Sequence, residues 1–232
     1  MFQGKKLGFV IPAAGKGSRM KRGKAKQLIE LRGKPILFHT LERLQSIPEI
    51  DIIILAVATD TIDLLRNIIA HYQFHCRCEI VAGGPERQDS VWNGLQQLRS
   101  RNVDIVVVHD AVRPFIDREL VVNICHAALQ YGAAVPVIRP KDTIKSVNGN
   151  GYIHSTLDRE KLVMAQTPQG FHFETLLKAY ETAHHDGYYG TDDASLVERC
   201  GIHVKVIEGS YRNIKITTED DLLTAQSFLN DI

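Results

Sequence analysis

A chain of 232 residues that is 44% hydrophobic and 24% charged, with a formal net charge of +1, is long enough to bury a sizeable core. So even a charge balance gives no reason to expect a nucleic-acid or membrane surface as partner. No segment approaches the ~20 apolar residues of a membrane span, and the early Lys5 and Lys6 precede no long apolar run or small-residue cleavage site. A cytoplasmic protein is expected.

The first predicted strand, Leu7–Ile11, runs directly into Pro12-Ala13-Ala14-Gly15-Lys16-Gly17-Ser18-Arg19-Met20. Small residues at that place let the backbone approach a ligand at the carboxyl edge of an α/β sheet. The dinucleotide fingerprint GxGxxG would need a glycine where Met20 stands. The phosphate loop GxxxxGK[ST] lacks its upstream glycine and has Gly17 after Lys16. The segment is also basic, with Lys16, Arg19, Lys21, Arg22, Lys24 and Lys26 close together. It suits a cradle for a triphosphate of about −4 charge, held by backbone amides and cations together.

A helix is predicted over Ile36–Leu44, a strand over Ile52–Ala56 and a helix over Thr61–His71. In His75-Cys76-Arg77-Cys78 the nearest metal-ligand types alternate along an extended segment, so they point to opposite faces and do not converge. The four cysteines form no CxxC pair and are expected to stay reduced. A strand at Glu79–Val81 leads to Gly83-Gly84-Pro85-Glu86-Arg87-Gln88-Asp89-Ser90 and a helix over Gln88–Ser100. A strand at Ile105–His109 leads to His109-Asp110-Ala111-Val112-Arg113-Pro114, then a helix over Arg118–Tyr131 and a strand at Ala133–Ile138. Between about 139 and 161 the rhythm breaks. Thr143–Val147 and Tyr152–Leu157, around Asn148-Gly149-Asn150-Gly151, read as a β-hairpin. An isolated hairpin is marginal in water, and a second copy of the chain is its natural support.

After Thr167-Pro168-Gln169 come helices at Phe173–Asp186 and Asp192–Cys200, a strand at His203–Ile207, the segment Asn213-Ile214-Lys215-Ile216-Thr217 and a helix over Glu219–Leu229. Thr191 and Thr218 stand where helix caps are expected, and Asp192-Asp193 then read as acids at a helix N-terminus. His109, His126, His184 and His185 show no catalytic partner pattern, and Trp92 should pack a helix face. Strands rich in Val, Ile and Leu alternating with helices predict one α/β domain over residues 1–232, a doubly wound, mostly parallel Rossmann-like sheet with a protruding β-arm. Nearly every predicted strand end carries a polar cluster, which is where such sheets place chemistry.

The ordered series PAAGxGxRM, KQ, GGxxRxxSV, HDAxRP, DTxK, DR, TPQ, TDDAS and NIKIT resembles the 2-C-methyl-D-erythritol 4-phosphate cytidylyltransferases of the non-mevalonate isoprenoid pathway, from Ile11 to Leu222. The resemblance implies a nucleotidyltransferase that uses CTP, Mg²⁺ and a small sugar-alcohol phosphate, and a homodimer with interlocked arms. It implies that Ala13, Ala14, Gly84 and Ser90 read the cytosine and that Gly15, Gly17, Arg19 and Lys26 hold the triphosphate. It places Asp110 near Mg²⁺ and the acceptor, with Arg113 shaping that pocket. It implies that Thr143, Arg159, Thr167 and Lys215 position the acceptor, Arg159 from the partner subunit. Arg19, Lys26, Arg159 and Lys215 are thus the catalytic candidates. Val112 stands where the family usually has alanine and where the related ribitol 5-phosphate cytidylyltransferases often have valine, which keeps ribitol 5-phosphate as an alternative acceptor. An inactive nucleotide-binding module is the rival of another class.

Overall fold

The computed structural model describes residues 1–15, 26–70, 72 and 74–231, with the side chains of Lys26 and Asp231 outside that description. In chain order the elements are β1 (Leu7–Ala13), β2 (Glu30–Leu31), β3 (Lys34–Pro35), α1 (Ile36–Gln45), β4 (Ile52–Val57), α2 (Ile62–Ile69), β5 (Arg77–Ala82), α3 (Arg87–Arg99), β6 (Ile105–Val108), α4 (Arg118–Tyr131) and β7 (Ala133–Ile138). Then follow β8 (Lys145–Val147), β9 (Ile153–Thr156), β10 (Met164–Ala165), β11 (Gln169–His172), α5 (Phe173–His185), α6 (Asp193–Arg199), β12 (Lys205–Glu208) and α7 (Glu219–Phe228).

Strands β5, β4, β1 and β6 lie side by side and parallel. Their apolar runs sort by parity, because neighbouring side chains leave a strand on opposite faces. Phe9 and Ile11, Ile53 and Leu55, and Ile105 and Val107 face one core with α1, α2 and α4. Val10, Ile52, Ile54, Val106 and Val108 face the other with α3, α5 and α6. A sheet covered on both faces explains the unbroken hydrophobic strands, and the doubly wound α/β expectation holds.

Beyond β6 the sheet departs from the predicted list. β11 inserts antiparallel between β6 and β7. Ala134 of β7 has Gly170 of β11 on one side and Lys205 of β12 on the other, and Val137 likewise lies between Ala165 of β10 and Glu208 of β12. β10 and β11 therefore run along one edge of β7, interrupted at Gln166-Thr167-Pro168, while β12 pairs in parallel along its other edge.

Helix ends follow local chemistry. Asp117 accepts the Leu120 amide at 2.8 Å to open α4, and Gly132, at φ 86°, closes it in a left-handed conformation. Thr218 caps α7 as expected, but Asp192, not Thr191, caps α6, accepting the Ser195 amide at 2.9 Å. The hairpin forms as β8 and β9, with Asn148 Oδ1 accepting from the amides of Asn150 and Tyr152. Among the described residues no helix is long and apolar enough to cross a membrane.

Candidate active site

Two polar groups form at the carboxyl ends of the parallel strands. The first joins the end of β1 to the β5–α3 loop. Ala13 is buried, and its carbonyl accepts a hydrogen bond from Gln27. A Cβ on Gly83 would come within 2.5 Å of Ala14 Cβ and 2.8 Å of Ser90 Oγ, and one on Gly84 within 2.3 Å of Asp89 Cβ. Both glycines are therefore required by packing, since the space is already filled by their neighbours. Ser90 is buried and works on the loop itself. Its hydroxyl accepts the Gly84 amide at 3.1 Å and donates to the Glu86 carbonyl at 3.2 Å. Ala14, Gly84 and Ser90 are thus brought together, with Ala13 and the exposed Gly15 flanking them on β1 and just beyond it. Gly17 and Arg19 lie outside the described residues, as does the side chain of Lys26.

The second group centres on Asp110, which is 6% exposed. Its Oδ1 accepts from Arg87 Nε at 3.1 Å, its Oδ2 lies 2.8 Å from Lys215 Nζ, and Arg113 Nε stands 3.5 Å away. Burial alone would raise its pKa, but Arg87, Lys215 and Arg113 outweigh burial and hold the carboxyl far below the usual carboxylate range. Lys215 is 39% exposed at its side chain and is the open member of the cluster. Arg87 also grips Asp193 through both terminal nitrogens, at 3.1 and 2.7 Å.

Behind Asp110 runs a chain of neutral hydrogen bonds. The Asp110 amide donates to Thr167 Oγ1 at 3.0 Å, and that hydroxyl lies 3.1 Å from His109 Nδ1. The other imidazole nitrogen is 3.0 Å from the Arg113 carbonyl. A carbonyl only accepts, so Nε2 carries the proton and Nδ1 accepts from Thr167. Burial dominates the titration of His109 and pushes it down to about 4. Asn213 ties the far side, donating to the Thr167 carbonyl at 2.8 Å and accepting from Arg113 Nη1 at 2.7 Å. Among the described residues two buried polar atoms here, Arg113 Nε and Asn213 Oδ1, lack a hydrogen-bond partner.

Among the described residues the constellation is one of fixed cations and backbone amides, with no activated nucleophile. The family model described as 2-C-methyl-D-erythritol 4-phosphate cytidylyltransferase matches residues 7–231. The chain belongs to that family. It is 48% identical over 221 residues to the protein of that name from Syntrophus aciditrophicus (strain SB), covering 95% of this chain and 94% of the other. It is 44% identical over 221 residues to the one from Clostridium acetobutylicum, with coverages of 95% and 96%. Among solved structures it is similar to the 4-diphosphocytidyl-2C-methyl-D-erythritol synthase of Anaerococcus prevotii, with a TM-score of 0.86 and 32% identity over 98% of this chain and 100% of the other. The Francisella tularensis cytidylyltransferase gives a TM-score of 0.81 and 33% identity over 96% and 99%.

In the cytidylyltransferase chain Asp110, Arg113, Thr167 and Lys215 lie together. It keeps Thr143 and Arg159 on the arm. Thr143 is exposed, and Arg159 Nη1 donates to the Lys141 carbonyl at 2.7 Å beside an open groove lined by Arg139, Pro140, Lys141 and Glu160. Sequence reading passed over Arg87, Asp193 and Asn213 as site residues and gave His109 no partner. Arg87 had a signal, its fixed place between Gly84 and Ser90 in GGxxRxxSV. Asp193 stood in TDDAS, but the partners that define it come from α3 and α5. Val112, the departure from the family pattern, is buried with Ile29, Leu31, Ile36 and Ile216, so it is a packing position.

Proposed function

We propose that the chain, working as one nucleotidyltransferase unit, transfers CMP from CTP to 2-C-methyl-D-erythritol 4-phosphate and releases pyrophosphate, in the non-mevalonate isoprenoid pathway. The observation that carries this reading is the Arg87–Asp110–Lys215–Arg113 cluster beside the loop joining Ala14, Gly84 and Ser90. An acceptor phosphate is mostly dianionic at neutral pH, its second pKa being about 6. It therefore attacks the α-phosphorus without a general base, and buried His109, its two nitrogens already engaged, is not one. The difficulty is repulsion between anions, met by positioned cations. Arg19 and Lys26 would stabilise charge on the α-phosphate. Ala13, Ala14, Gly15, Gly17, Gly84 and Ser90 would hold the nucleotide, and Arg113, Thr143, Arg159, Thr167 and Lys215 the acceptor.

Mg²⁺ would neutralise part of the triphosphate charge. Among the described residues no three His, Cys, Asp or Glu side chains converge as a cage, and Asp110 already accepts from Arg87 and Lys215. That donor set suits an ion held mainly by phosphate oxygens and water, with Asp110 supplying at most one oxygen. The arm supports a homodimer, since Val147, Tyr152 and Ile153 are 66%, 73% and 64% exposed and a second copy would cover them. Arg159 and Thr143 would then serve the partner's site. The four cysteines are free, in keeping with a cytoplasmic location.

The test is pyrophosphate release from CTP and Mg²⁺ with methylerythritol phosphate and ribitol 5-phosphate offered in parallel. Release with the first alone is expected. Release with the second alone would move the chain to the ribitol reading, which the family match does not favour. No release with either would leave an inactive binding module.

A further inference from the structure

A buried carboxylate lies one layer behind the Asp110 cluster. Asp193, the first residue of α6, is fully buried, and both of its oxygens are committed away from its own helix. Oδ2 accepts from Arg87 Nη2 at 2.7 Å, and Oδ1 accepts from Arg87 Nη1 at 3.1 Å and from the Tyr180 hydroxyl at 2.5 Å. A guanidinium is planar, so a two-pronged grip on its terminal nitrogens fixes where the Nε–H points. Here Nε points to Asp110 Oδ1 at 3.1 Å, and the other oxygen of that carboxylate holds Lys215. Tyr180 is itself seated by packing, buried and stacked on Trp92 at 6.5 Å with a 5° interplanar angle.

We propose that Asp193 and Tyr180 are positioning residues for CMP transfer, fixing the plane of Arg87 and through it the Asp110 carboxylate that holds Lys215. This rests on the function proposed above. A misplacement of about 1 Å at the reacting centre costs about 10²-fold, so Asp193→Asn, which sets an amide against the Arg87 fork, should lower kcat/KM for the acceptor by about that factor. Tyr180→Phe keeps the ring and removes one hydrogen bond, so a loss of roughly 3- to 10-fold is expected.

Two readouts separate positioning from mere support of the fold. In an Asp110→Asn background, Asp193→Asn should cost less than about threefold more, because the route it acts through is already broken. In the crystal structure of Asp193→Asn, Arg87 Nε should leave hydrogen-bond reach of Asp110. Normal kcat and KM in a folded Asp193→Asn or Tyr180→Phe protein would overturn the proposal, as would the full 10²-fold loss repeated in the Asp110→Asn background. An Arg87–Asp110 contact still at about 3.1 Å in the variant would overturn it even if the wild-type chain released no pyrophosphate. Silence of the wild type would instead sink the functional reading. If Asp193→Asn does not fold, Tyr180→Phe decides by the same kinetic and structural comparison.

Discussion

His109 stands in the hydrogen-bond chain behind Asp110 as a neutral imidazole, and its burial is a statement about stability as well as chemistry. Its folded pKa of about 4 lies below the ~6.5 of an unfolded histidine. Between those values the unfolded chain binds a proton that the folded one refuses, so stability rises with pH across that window and is lost as pH falls. At about 1.4 kcal/mol per pH unit, the loss across that window is about 3 to 4 kcal/mol. His109→Gln should be less stable at neutral pH yet show a flatter profile from pH 6.5 to 4 in urea denaturation. Parallel losses in wild type and variant across that range would refute this account. Asp110 acts in the same direction over a lower pH window. Its depressed pKa keeps its contribution intact above the ordinary carboxylate range, and that contribution erodes only below about 4. At this scale the sequence was half legible. Asp110 and Lys215 sit in recognisable segments. Of the pair Asp192-Asp193, however, only the first is the helix-end acid that local rules describe. The second is defined by Arg87 and Tyr180, which no local pattern brings to it.

At the scale of elements, the β5–α3 loop shows how a helix start can build a binding surface. Glu86 and Asp89 close a capping box at the first turn of α3, and Asp89 fills the space a side chain on Gly84 would need. Gly84→Ala should therefore displace the loop proposed above to hold the nucleotide. The expected result is a KM for CTP raised by about tenfold, or 1.4 kcal/mol, with kcat little changed. Steady-state titration of CTP checks this, and an unchanged KM would show that the loop takes no part in nucleotide binding. The helices were readable from their amphipathic period, and β1, β4 and β6 because burial on both faces leaves them continuously apolar, which edge strand β5 with Arg77 and Glu79 is not. β11 was not, since Gln169-Gly170-Phe171-His172 has neither alternation nor a β-branched residue. Its strand character comes from ladders with β6 and β7 on its two sides. Gln169 adds a second task that no spacing announces, donating to Asp192 at 2.8 Å and accepting the Ala194 amide at 3.0 Å, which docks α6 on the sheet.

At the scale of the whole molecule, the arm carries its apolar side chains outward with no core of its own. Beside Val147, Tyr152 and Ile153, the residues Leu157, Val163 and Met164 are exposed. If a second copy covers them, Tyr152→Ser combined with Ile153→Ser should shift the sedimenting species from dimer toward monomer. Turnover should fall with it, because Arg159 would no longer reach the partner's site. A variant that stays dimeric would remove the arm from the interface. The arm itself was foreseeable from its Asn/Gly turn, whereas the order of strands beside it was not. That order carries a consequence for how the chain matures as it leaves the ribosome. β6 is made early, but its neighbour on the β7 side is β11, and the whole arm is synthesised between β7 and β11. Until residue 172 has emerged, Ile105–Val108 remains an open seam in the growing sheet. β7 can only wait beside it, and the last stitch that closes the sheet there also brings Thr167 to Asp110.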